Sequence, residues 1–207
     1  MRKINKGNPI EEFSDFVRKN KPTKWKDLNK TEEGKKVRQD SCMHILVFEQ
    51  DCMCGYSEMI LDETNSHVDH YVKQEHDSSK IFDWNNYVVS TIDEDFGGKY
   101  KDNGYKIKKN EYSLIFNPVD EDMSLLIEYS GDGEMIPIGG IQNKEKEKVC
   151  KTIDVFNLNH ISLKRKRKDL LTQLNDCSDL PDNEIKSAFS NSGFVSVVNW
   201  WLSNRSN

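Results

Sequence analysis

The stretch NSHVDHYVKQ, Asn65–Gln74, sets two histidines three residues apart, with an aspartate directly before the second. Val68 and Val72 recur among polar neighbours, so the segment reads as a strand with alternating character. Two interpretations compete for Asp69-His70. The pair holds a metal ion and activates water, or it belongs to a strand whose polar groups merely alternate. His67 is open to the second interpretation in particular, as a strand histidine that only donates a hydrogen bond.

Working outward from this stretch, CMCGYSEMIL (Cys52–Leu61) reads as a hairpin around Gly55. DWNNYVVSTI (Asp83–Ile92) reads as a short helix or strand, and FGGKYKDNGYK (Phe96–Lys106) as a glycine-rich turn leading into basic residues. YSLIFNP (Tyr112–Pro118) reads as a buried strand and LLIEYSGDGEMIPI (Leu125–Ile138) as a β-hairpin. On the N-terminal side, Asn8-Pro9 is expected to open a helix carrying Ile10, Phe13, Phe16 and Val17. Thr31 opens a second helix running to about Gln50. On the C-terminal side three helices are expected, over Lys144–Leu158, His160–Cys177 and Asp182–Leu202. The fold class is α+β, with a small β-rich centre between helical segments. The expected divisions are 1–50 as N-terminal helices, 51–140 as the core with its following hairpin, and 141–207 as a C-terminal helical region.

Charge is unevenly distributed. Residues 1–40 hold twelve Lys/Arg and seven Asp/Glu, whereas residues 41–98 hold two Lys and twelve Asp/Glu, a local charge of −10. A basic block, Lys164-Arg165-Lys166-Arg167-Lys168, follows later. An acidic middle between basic flanks suits a cation-dependent site with polyanion-binding shoulders, or else ordinary solvated surface. The negative centre argues against strong unaided nucleic-acid binding and against a DNA-binding regulator. No signal-like segment and no membrane-length apolar run is present, so a cytoplasmic protein with its five cysteines reduced is expected.

A strand with Asp69-His70, an asparagine pair some fifteen residues on and a glycine-rich turn all lie within forty residues. Together they resemble an HNH nuclease. SHVDHYVKQ, FDWNNYVVS and GGKYKDN resemble, more narrowly, the PtuB-like HNH subunit of Septu antiphage systems, which also occurs beside retron reverse transcriptases. IFNPVDEDMSLLIEYSGDGEMIPIGG and KVCKTIDVFNLNHISLKRKRKDLL extend the similarity, which covers about Met1 to Leu171.

The resemblance implies a ββα-metal finger embedded between helical segments and an antiviral, toxin-like endonuclease effector. It implies His70 as the base, His67 beside it on the active strand, Asp69 and Asn86 on a divalent metal (Mg²⁺ or Mn²⁺), and Asn86 as the HNH asparagine, with Asn85 as the alternative of that pair. A divalent ion would stabilise charge developing on phosphate while a neutral histidine takes the proton of the attacking water. The implied partners are a PtuA-like ABC/SMC-type ATPase, a nucleic-acid substrate (DNA, tRNA or other RNA) and, in a retron, the reverse transcriptase with its msDNA.

The chain departs from the family pattern in two places. Lys99 stands where relatives place a ligand, so the third ligand falls to Asp93, Asp95 or Asn103, or else Lys99 meets a substrate phosphate. Of the paired zinc cysteines only Cys54 remains, so no structural zinc is expected, with Met53, Tyr56, Met59 and Phe96 holding the finger by packing. These losses favour the alternative, a catalytically decayed HNH-fold adaptor that only assembles a defence complex.

Overall fold

The structure, a computed structural model, describes residues 1–205. It is mixed in class, with six α-helices and two small antiparallel sheets among the described residues. Strand β1 (Ser66–His70) pairs with β2 (Tyr87–Thr91), placing His67 opposite Ser90 and His70 opposite Tyr87. Strand β2 is buried along its whole length. Its outer edge therefore needs partners other than water. The Gln50 side chain supplies them: Val89 N donates to Gln50 Oε1 at 2.8 Å, and Gln50 Nε2 donates to Val89 O at 2.8 Å. Gly55 N donates to the same carbonyl at 2.9 Å. A side-chain amide and one loop residue thus complete a two-stranded sheet.

That close approach dictates glycine at position 55. A Cβ there would lie 2.4 Å from Val88 Cγ1 and 2.8 Å from Ile4 Cδ1. The hairpin expected around Gly55 is present in its shortest form, one antiparallel bridge between Met53 and Ile60 with Cys54 N donating to Met59 O and Leu61 N to Cys52 O, each at 2.8 Å.

Helix α1 (Glu11–Asn20) buries Phe13 and Phe16. It begins later than expected and without a side-chain cap, because Ile10 is extended (φ −61°, ψ 148°) and ends the approach through Pro9. Helix α2 (Glu32–His44) is capped by Thr31 Oγ1, which accepts from Gly34 N at 3.0 Å. A wider turn over Ile45–Glu49 continues it and aims Ile45 and Leu46 inward. Glu49 is buried there. It pairs with Lys6 Nζ at 2.5 Å and accepts from Gly7 N and the Trp84 indole, both at 3.0 Å. The N-terminal segment is thereby fastened behind β2.

Residues 115 and 116 form no strand pair. Ile115 is extended and buried, but the Phe116 amide donates to Thr152 Oγ1 at 2.9 Å, on helix α3 (Asn143–Phe156). A helix side chain here replaces the ladder partner the sequence suggested. The second sheet is the expected hairpin, β3 (Ile127–Tyr129) with β4 (Met135–Pro137). Helix α4 (Ile161–Asp176) follows, and the last expected helix is two, α5 (Asp182–Ala188) and α6 (Val195–Asn204).

The break between α5 and α6 is tertiary in origin. Gly193 (φ +72°) and Phe194 (φ +48°) are left-handed, and Phe194 N donates to Glu58 O at 2.8 Å. The buried Glu58 carboxylate then caps α6, accepting from Ser196 N at 2.8 Å and Ser196 Oγ at 2.5 Å. Buried apolar residues form one connected core from Met1 and Ile4 through Tyr87 and Val149 to Trp201. Among the described residues, no helix is long and apolar enough to cross a membrane.

Two members of the basic block are structural. Arg167 is 1% exposed; its Nε donates to Gly133 O at 2.7 Å, and Nη2 donates to Leu158 O at 2.9 Å and Asn159 Oδ1 at 3.0 Å. Lys164 pairs with Asp132 at 2.9 Å and Glu134 at 3.1 Å. Substituting Arg167 by Met should therefore strand two buried carbonyls, Gly133 O and Leu158 O, and cost about 2–4 kcal/mol. Arg165, in the same block but exposed, should tolerate Met within about 0.5 kcal/mol. Urea unfolding of the two variants measures the contrast; equal losses would show that Arg167 is no anchor.

Candidate functional site

An open cleft of about 350 Å³ lies along β1, its wall including His67, Asp69, His70, Lys73 and Asp102, with Arg38 reaching in from α2. His67, Asp69 and His70 come together because β1 ends there. Its last residues are held on one side by β2 and on the other by a turn of wide helix, Tyr100–Tyr105.

His70 is 7% exposed. Its Nε2 lies 3.0 Å from Ile81 O, and its ring meets Trp25 and Tyr87 edge-on at 5.2 and 5.1 Å. A carbonyl only accepts, so Nε2 carries the proton and Nδ1 keeps its lone pair. Burial lowers the His70 pKa below the usual histidine value, outweighing the bond to Ile81 and the nearby Asp69 charge. The ring is thus a neutral imidazole of defined tautomer. Burial lowers the His67 pKa as well, against the pull of Asp69, and its buried Nδ1 has no hydrogen-bond partner among the described residues.

Asn86 lies behind the cleft wall and locks the loop that carries Ile81. Val72 N donates to Asn86 Oδ1 at 2.8 Å, and Asn86 Nδ2 donates to Val72 O and Lys80 O, each at 3.0 Å. All of these partners are backbone groups, so the amide is fully engaged away from Asp69. The neighbouring Asn85 serves locally, its amide donating to the Asp83 carboxylate at 3.0 Å.

Asp69 is 4% exposed and heavily engaged. Tyr56 Oη donates to its Oδ2 at 2.5 Å, and the Lys101 ammonium lies 3.2 Å from the same oxygen. Tyr56 keeps its proton, because burial and the Asp69 charge raise its pKa well above the phenol value. Gly98 presses against the carboxylate so closely that a Cβ there would lie 2.5 Å from Asp69 Cγ. Lys101 is wholly buried; its ammonium also donates to His70 O at 2.8 Å and Tyr71 O at 3.1 Å, and lies 2.9 Å from Asp102 Oδ1. Burial first, and then the Asp69 charge, raises the Asp102 pKa to about 6.

The other sequence candidates lie elsewhere. Lys99 is 33% exposed, with its ammonium 3.7 Å from Glu94 Oε1. Asp93 Oδ1 accepts from Asp95 N at 2.8 Å in a surface turn, and Asp95 O accepts from Asn157 at 2.7 Å. Asn103 faces an adjoining groove with Lys106, Lys108 and Lys109. None of the four is part of the cleft wall. Asp102 is, with the wholly buried Lys101 directly behind it, and helical spacing could have found both: counted from Gly98, they are positions i+3 and i+4 on one face, while Lys99 falls off it.

The donor set of Asp69 does not fit a divalent ion as it stands. One carboxylate oxygen is already shared by a hydroxyl and an ammonium, and among the described residues no three His, Cys, Asp or Glu side chains converge on a point a metal could take. Near the expected zinc positions, Cys54 Sγ lies 3.7 Å from Ser90 Oγ. Tyr56 stacks on Phe156 at 4.1 Å and Phe96 on His160 at 5.7 Å, so aromatic packing supports this part of the fold.

The acidic middle is largely internal or local. Glu49 and Glu58 serve buried networks, while Asp62, Asp77 and Asp83 accept bonds from backbone amides of their own turns. No family model matches the chain, and no curated protein matches its sequence.

Replacing Asn86 by Asp tests the loop lock. A carboxylate cannot donate to Val72 O and Lys80 O and sets an anion against both carbonyls. The expected loss is about 2–3 kcal/mol by urea unfolding; a loss below about 0.5 kcal/mol would mean that the amide does not hold the loop.

Proposed function

We propose that this chain is an HNH-type phosphodiester hydrolase acting on nucleic acid, its β1–β2 pair and the Tyr100–Tyr105 turn forming a ββα finger. The observation that carries this reading is the state of His70: a buried neutral imidazole, fixed through Nε2 by Ile81 O, on the wall of an open cleft with two cations on its rim. Such a ring is suited to general-base work. A water entering the cleft gives its proton to Nδ1 as its oxygen attacks phosphorus, and the bond to the leaving oxygen breaks. Arg38 and Lys73 face the cleft and would hold the phosphate, Lys73 by giving up its 2.6 Å ion pair with Glu75, which lines the same cleft. The grooves on either side carry Lys35 and Arg38, or Lys106, Lys108 and Lys109, a cationic margin suited to a polyanionic strand.

The likeness to Septu-type subunits extends the proposal to an effector working with a PtuA-like ATPase, with reverse transcriptase and msDNA in a retron setting. A divalent ion beside Asp69 would supply Lewis-acid stabilisation of the phosphate if Lys101 withdrew; no step above runs through it.

The second reading is a silent finger that only assembles a complex. It is favoured by one observation, the Lys101 ammonium in the shell of Asp69.

Because His70 is buried, alanine would leave a hole, and glutamine is the better test. His70→Gln should lower cleavage of nucleic acid by about 10²–10⁴-fold in assembled complex while the protein stays folded by circular dichroism. Cleavage at the parental rate by a folded His70→Gln protein would show that His70 is not the base, and no cleavage by the parental complex would leave only the assembly role.

The pH dependence has a definite sign. A base with a lowered pKa stays neutral into mildly acid solution. The rising limb of kcat/KM should therefore have its midpoint below about 6.5, the free histidine value. A midpoint at or above that value would mean that the ring is solvated or that another group is the base.

A further inference from the structure

We infer that Lys101 is a built-in cation: its ammonium occupies the place beside Asp69 that a divalent ion would take, so the site admits no such ion while Lys101 is in place. The inference rests on Asp69 being the acid of the proposed site, and it concerns how that site is charged. Four oxygens surround the Lys101 nitrogen, from His70 O at 2.8 Å, Asp102 Oδ1 at 2.9 Å, Tyr71 O at 3.1 Å and Asp69 Oδ2 at 3.2 Å. Two carboxylates and two carbonyls form a typical ligand set for a hard cation. The spacing, however, is that of an ammonium. Magnesium takes oxygens at about 2.0–2.1 Å and calcium at about 2.3–2.6 Å, so either ion would have to draw every donor inward as well as expel the lysine.

Expulsion is costly because the ammonium starts fully enclosed and would lose all four of its oxygen partners at once. Lys101 is 0% exposed and Asp69 4% exposed, and removing one partner of such a buried pair leaves an uncompensated charge. The backbone favours the lysine too. Lys101 N donates to Gly97 O at 3.0 Å, and Gly98 lies against Asp69 where no side chain fits. The same residues that bring the helical turn against the carboxylate deliver the ammonium to it. Phosphate contact then falls to Arg38 and Lys73, since the Lys101 ammonium is enclosed by its own four oxygens.

The test is Mn²⁺ titration followed by water-proton relaxation, with thermal unfolding in parallel, on the full chain of wild type, Asp69→Asn, Lys101→Ala and Lys101→Ala/Asp69→Asn. Wild type and Asp69→Asn should be indistinguishable in Mn²⁺ binding. Lys101→Ala, with the cage open, should bind Mn²⁺ at least about tenfold more tightly than wild type. It should melt lower than wild type without metal and recover part of the loss with Mn²⁺, and the double variant should show neither effect. Asp69-dependent Mn²⁺ binding by wild type overturns the inference, and so does a folded Lys101→Ala protein that binds no better than wild type. If Lys101→Ala does not fold, the comparison of wild type with Asp69→Asn still decides. These readouts are separate from cleavage, so a failure of His70 as the base would leave them unchanged.

Discussion

A lysine ammonium with no access to water holds the centre of this protein together. Lys101 closes the end of β1 by taking the His70 and Tyr71 carbonyls, and it neutralises Asp69 and Asp102 across the same gap. Buried charge is tolerated only where partners surround it, so each neighbour is constrained in turn. Tyr56 must keep its proton to donate to Asp69, Gly98 must lack a side chain to let the helical turn approach, and β1 must stop where its carbonyls turn inward. The end of β1 on the cleft wall depends on that arrangement, while the His70 tautomer is set separately by Ile81 O, on the loop that Asn86 holds.

The same arrangement separates two roles that Asp69 and His70 seemed to share. His70 has one nitrogen committed to a backbone carbonyl and the other left to react, which suits proton transfer. Asp69 has one oxygen, Oδ2, committed to both a hydroxyl and an ammonium, which suits charge balance. The adjacency of the two residues in sequence therefore does not amount to one chemical unit. Under the proposed hydrolysis the proton and the phosphate charge are handled by different parts of the cleft, the first by His70 and the second by cations brought from outside β1.

Charge distribution teaches a related lesson. Residues 41–98 carry −10, yet Glu49, Glu58 and Asp69 lie inside networks, and three more aspartates stabilise their own turns. The basic block at 164–168 is divided in the same way, with Arg167 an internal anchor and Lys164 tied to the β3–β4 turn. A count along the chain weighs all such groups equally. Burial against a cation takes Glu49, Glu58 and Asp69 out of the field a ligand meets, whereas the turn aspartates keep their charge, and the cations around the cleft come from α2 and from residues 106–109.

What the sequence determined by itself is local. Alternation marked β1, turn residues marked the β3–β4 hairpin, helical spacing marked α1 to α4, and Thr31 marked the start of α2, because each depends on residues within a few positions of one another. The presence of His67, Asp69 and His70 on one short strand was equally legible. The partners of those residues were not. The Gln50 amide serves as an edge for β2, the Phe116 amide finds Thr152, and Glu58 breaks and caps the C-terminal helices from 138 residues away. Choosing Lys101 over Lys99, and Asp102 over Asp93 or Asp95, required knowing that the turn after Gly98 is helical and packs against Asp69. Those pairings are decided by which groups are desolvated together, and desolvation belongs to the folded chain, because only there do distant residues exclude water from the same volume.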